Sequence, residues 1–301
     1  MRVVWSTLTF RRPTETFHEF LVDHLKETLG QAWIDRNKRP NEQAHVVMRW
    51  IYGWHEHAAA QMPEEHRPGE VFSVAPSGEA MALLSLADDV YRLQLRKHLP
   101  RRLLERLRSP DSFQGARYEV AVASIFARCG FTIEWLDEKT PGKKCEFVAT
   151  HPLLKAGIAV EAKSRHRKGV LNESGPPTME VLGADVDSLF RKALAKDPGD
   201  RPFMIFIDIN LPFSPQEGLE KPWIKDMERV VEAGPTADPS PYNLFVVTNH
   251  AWHYDGAGLA RGGEYLQVLP NQPRHPIDAL AAIDAILRQV DAYGSVPPKD
   301  E

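Results

Sequence analysis

The chain has 301 residues with a formal net charge of −4, 43% hydrophobic and 26% charged residues, values of a soluble globular protein of one large or two ordinary domains. The charge excludes a globally basic nucleic-acid binder, and only local patches remain to attract an anion. Two cysteines, Cys129 and Cys145, outside any Cys/His cluster, exclude a disulfide scaffold and a structural zinc site. The N-terminus lacks the apolar core of a signal peptide, and no apolar run approaches the roughly 20 residues of a membrane span, so the expected location is cytoplasmic.

In chain order, Phe17, Phe20, Leu21, Leu25 and Leu29 fall at helical spacing, with Thr14 or Thr16 available as a cap. A second helix is predicted over 42–60, others over 79–95 and 100–107. Ser109-Pro110-Asp111-Ser112 breaks the pattern, and the domain boundary is placed there. Residues 1–110 are therefore expected to form an all-α domain for substrate recognition, partner docking or oligomerisation, and 111–301 a second domain. A basic run from Arg92 to Arg108, including Arg106, reads as a solvated helix face.

Beyond the break a helix is predicted over 115–129, stopped by Gly130. Strands follow over 131–136, 144–150 and 157–164, with a turn at Thr140-Pro141-Gly142 and a loop through Gly175-Pro176-Pro177. A helix over 185–195 and an apolar strand over 202–211 come next. A helix over 223–232, strands over 242–249 and 265–269, and a helix over 276–292 complete the chain. The expected class is α/β, a mixed sheet flanked by helices.

Glu161 and Lys163, two apart on a strand, share a face within an apolar run. Ionisable groups there are costly unless paired or bound to a metal. Pairing across the 150–157 turn brings Glu146 beside Glu161, and two carboxylates suit a hard cation such as Mg²⁺ or Mn²⁺. The alternative is a plain cross-strand ion pair.

The order helix, three strands, helix, strand, with Glu146…Glu161-Ala162-Lys163, resembles the restriction-endonuclease-like, PD-(D/E)XK nuclease superfamily. The resemblance covers about a third of the chain. It implies a restriction-endonuclease-like core (αβββαβ) and a nuclease hydrolysing phosphodiester bonds in DNA in preference to RNA, with endonuclease action and a setting in bacterial defence or restriction. It implies that Glu146 and Glu161 ligate the metal with the Ala162 carbonyl, that Lys163 activates water, and that Glu119 serves a second metal or a metal-bound water. A homodimer fits, because two strands need two sites. One departure is that Cys145-Glu146 stands where the family has Pro-Asp. Lys143, Lys144, Ser164, Arg165 and Arg167 are expected phosphate contacts. The competing reading is a non-catalytic nucleic-acid- or protein-binding member with a degenerate site. Asp208 and Asn210 read as a strand end, and Trp252-His253-Tyr254 as aromatic core or surface loop rather than a base-stacking platform.

Overall fold

The computed structural model describes residues 2–4, 7–9, 15–38, 44–67, 69–136, 144–172, 182–215, 221–232 and 238–297. Lys143, Thr140-Pro141-Gly142 and Gly175-Pro176-Pro177 lie outside them. Five helices precede residue 110: α1 (Phe17–Leu29), α2 (Gln31–Asn37), α3 (Val46–Ala60), α4 (Gly78–Leu95) and α5 (Arg101–Leu107). Thr16 caps α1 through a reciprocal pair in which its hydroxyl accepts from the Glu19 N–H and Glu19 accepts from the Thr16 N–H.

The N-terminal region is not all-α. An antiparallel strand pair, β1 (Arg2–Val4) with β2 (Thr7–Thr9), precedes the helices. Three-residue strands are too short to show the alternation by which strands are read. The helix α2 is also absent from the sequence reading. Gly30 (φ 85°) ends α1 and immediately starts α2, forming a corner between the two helices.

A 3₁₀ turn, Pro110–Ser112, leads into α6 (Phe113–Arg128), and β3 (Thr132–Trp135), β4 (Phe147–Thr150), β5 (Ile158–Ser164), α7 (Leu182–Leu194) and β6 (Phe203–Asp208) follow. The chain closes with α8 (Pro222–Glu232), β7 (Leu244–Asn249), β8 (Glu264–Val268) and α9 (Leu280–Asp291). The fold is mixed α/β. Its sheet has six strands in the order β3-β4-β5-β6-β7-β8, antiparallel at both ends and parallel where β5, β6 and β7 pair.

Alternation sorts each central strand between two cores. Ile158, Val160, Met204, Phe206 and Val246 join the cluster containing α6. Ala159, Ile205, Ile207 and Val247 join the one containing Phe190 of α7 and Met227 of α8. With both faces covered, β6 and β7 are buried throughout, hence their continuous apolar sequences. The first cluster also holds Phe17, Leu83, Val90 and Tyr91 of the N-terminal helices, so one core runs across the expected boundary at 110.

Two buried polar networks tie the layers together. Arg117 of α6 pairs with Asp208 at the end of β6 and approaches Nδ1 of His250 at 3.2 Å. Arg128 bridges Asp88 and Asp89 of α4, and Asp89 also accepts from the Ser124 and Tyr293 hydroxyls. Trp252 is core, and its ring stacks on His250, which also stacks on Tyr293.

His253 stacks on Trp50 (centroids 5.7 Å apart), and neither buried ring nitrogen has a hydrogen-bond partner. Burial, then the charges of Arg117 and His250, hold its pKa well below the ordinary histidine value. The unfolded chain therefore binds this proton first, and the native state loses stability as pH falls through about 6.5. His253→Phe should stabilise the protein by about 1–2 kcal/mol at pH 7 and by more at pH 5. Urea denaturation at the two pH values checks this, and a variant less stable than wild type at pH 5 would refute it.

Candidate active site

The register of β4 on β5 pairs Phe147 with Val160, and the Glu146 N–H donates to the Val160 carbonyl at 3.0 Å. One step further along the same register, Glu146 stands opposite Glu161. Cross-strand partners share a face, so Glu146, Glu161 and Lys163 come together as the spacing predicts. Beyond that point β5 continues to Ser164 paired, among the described residues, with β6, and a cavity of about 420 Å³ lies beside it. Glu119, Lys144, Glu146, Ala162, Lys163 and Ser164 contribute to the lining.

The Lys163 ammonium lies 2.5 Å from Glu161 Oε1 and 3.2 Å from Glu146 Oε1. Glu161 is fully buried, and neither of its oxygens accepts a hydrogen bond in good geometry, so the Lys163 contact is electrostatic rather than well-aligned. Burial, against the opposing charge of Lys163 and with the repulsion of Glu146, pushes the Glu161 carboxyl up to about 7. Burial lowers the Lys163 pKa, but the two carboxylates outweigh it and the net shift is upward. The ammonium thus stays charged between two acids, one of them carrying a large desolvation cost.

Glu119 enters the cavity from α6 with a partner not foreseen. Arg106 of α5 donates to it through both terminal nitrogens, at 2.6 and 2.7 Å. Burial and the charge of Glu146 raise the Glu119 carboxyl to about 7 against the pull of Arg106. Arg106 engages both carboxylate oxygens, so ligation of a second metal requires this pair to open. Among the described residues no three His, Cys, Asp or Glu side chains are gathered to hold a metal ion. The oxygen donors on offer are Glu146, Glu161 and the Ala162 backbone.

The chain matches no family model, no curated protein and no solved structure.

Of the expected phosphate contacts, Lys144 and Ser164 line the cavity, and Ser164 accepts from the Asn210 amide at 3.0 Å. Arg165 does not line the cavity. Its carbonyl also accepts from Asn210, at 3.0 Å. Arg167 is turned inward, 5% exposed, with its Nε on the Ile209 carbonyl at 2.8 Å, and packs the loop rather than facing solvent. Three basic lining residues were not among the expected contacts: Arg106, His166 and Lys196. Arg106 was read as part of a solvated run, and nothing in local sequence says that α5 turns one arginine of that run toward Glu119. No helix among the described residues is long and apolar enough to cross a membrane.

Proposed function

We propose that this protein is a metal-dependent nuclease with a restriction-endonuclease-like core, hydrolysing phosphodiester bonds in DNA, with Mg²⁺ or Mn²⁺ as cofactor and a homodimer as the form that cuts both strands. The observation that carries the reading is the convergence of Glu146 and Glu161 on the Lys163 ammonium, with Glu146 and Lys163 lining a cavity beside β5 and Glu161 buried behind them.

The donor set fits a hard divalent ion. Glu161 is a buried carboxylate whose oxygens accept no aligned hydrogen bond, and the positive charge now beside it comes from a movable lysine. Glu146, Glu161 and the Ala162 carbonyl would hold the ion, with water completing its shell. When bound, such an ion polarises a phosphate oxygen and acidifies a water. Lys163, released from the two acids, offers its Nζ protons to the phosphate oxygen on which charge develops. Burial around Glu161 keeps bulk water away and strengthens each of these interactions.

Cleavage of plasmid, linear and single-stranded DNA, and of RNA, tests this with Mg²⁺ or Mn²⁺ and with EDTA. Metal-dependent cutting of DNA is expected. EDTA should stop it, and Lys163→Ala should lower it by about 10³-fold or more. The second reading, a nucleic-acid-binding protein with a degenerate site, is favoured by one observation: the Lys163 ammonium contacts both carboxylates and can compensate their charge. Absence of cleavage together with absence of Mg²⁺ and Mn²⁺ binding by calorimetry would replace the nuclease by that reading.

A further inference from the structure

The Arg106–Glu119 pair is a two-bond fork, and the same guanidinium geometry grips a carboxylate or a phosphate. Its partners differ in access. Both line the cavity, but the Glu119 side chain is 8% exposed whereas that of Arg106 is 33% exposed. A methyl group at Gly115 would lie 3.4 Å from an Arg106 terminal nitrogen, 3.5 Å from His166 Nε2 and 3.8 Å from Glu119 Oε1. The missing side chain therefore leaves bare backbone where a guanidinium, an imidazole and a carboxylate meet. Arg106, Lys144, Lys163 and Lys196 give the lining four cations against the two acids Glu119 and Glu146.

We infer that Arg106 receives a phosphate of the substrate backbone, and that Glu119 is the internal anion holding the fork in its absence. The identity of the anion as a phosphodiester rests on the nuclease reading; the fork itself does not. Arg106 comes from α5, so the N-terminal helices supply a substrate contact to a cavity otherwise built on the sheet and its flanking helices. Glu119 then regulates occupancy by competition, because each incoming phosphate must displace it.

Fluorescence anisotropy with a short fluorescein-labelled DNA duplex, in EDTA and at fixed salt, reads binding without cleavage. Glu119→Gln removes the competing charge yet keeps an acceptor for Arg106, and should tighten binding about tenfold. Arg106→Lys keeps the charge, loses the fork and should weaken binding about tenfold, and the double variant should bind like Arg106→Lys. Gly115→Ala makes only ordinary contacts and should leave the melting temperature unchanged while weakening binding.

A Glu119→Gln protein that melts like wild type and binds no more tightly would overturn the inference. So would wild type and Glu119→Gln both failing to bind. If Arg106→Lys does not fold, Glu119→Gln and Gly115→Ala still decide. DNA cleavage that depends on Lys163, without tighter binding by Glu119→Gln, removes this inference and leaves the nuclease standing. Tighter binding without any cleavage does the reverse.

Discussion

Arg117→Leu should destabilise the protein by about 3–5 kcal/mol at pH 7, the cost of leaving a buried charge without its partner. Asp208 is fully buried, its Oδ1 has no hydrogen-bond partner, and its Oδ2 takes the Arg117 guanidinium. Burial already raises the Asp208 carboxyl above the ordinary aspartate range, with Arg117 opposing. Without Arg117 the shift grows. A carboxyl with a raised folded pKa contributes stability that is fully present below its unfolded value and is lost as pH rises through the folded value. The penalty should therefore be smaller at pH 5 than at pH 7, and Arg117→Leu/Asp208→Leu should recover most of it. Urea denaturation of the three proteins at both pH values measures each term. A single-variant loss below about 1 kcal/mol would mean that the pair contributes no more than a surface salt bridge.

Lys163→Met should cost on the order of 3 kcal/mol at pH 8 and about 1 kcal/mol at pH 5. The ammonium is the compensating charge for both Glu161 and Glu146, and Glu161 is fully buried. With Lys163 present the Glu161 carboxyl is held at about 7, and removing the cation drives it higher. The protonated acid is tolerated in the folded state below the unfolded value of about 4.3, and the advantage disappears as pH rises through the folded value. Thermal melts at the two pH values test this. Equal losses at both would show that the side chain matters for packing and not for charge. The same result sets a condition on the cleavage assay: a lysine variant must be shown folded at the assay pH before lost cutting is assigned to chemistry.

The part of the site legible in sequence is the part built on one local pattern. Glu161 and Lys163 were visible because charges inside an apolar strand need a reason, and Glu146 because a short turn fixes the register of β4 on β5. The apolar runs of β6 and β7 declared themselves for the same reason, burial on both faces. Arg106, His166 and Lys196 were not legible. They reach the cavity through the packing of α5, the loop after β5 and the end of α7, and no spacing along the chain encodes that. Arg167 misled for the converse reason: a basic run beside a site looks like a phosphate clamp until one member turns inward. The Ser109–Ser112 break was read correctly as chain punctuation and corresponds to a 3₁₀ turn, but punctuation says nothing about whether the core continues beneath it.

That continuity bears on how such a chain changes over generations. Leu83, Val90 and Tyr91 of α4 are packed in one cluster with Val120, Val122 and Phe126 of α6. A volume change on one side of residue 110 must be answered on the other, since close-packed interiors register even a single methylene. The helices are thus a poor cassette for recombination: a foreign N-terminal segment would arrive without the complementary surface α6 requires. Lys144 and Lys196, which line the cavity, belong to neither core cluster and are not under that constraint.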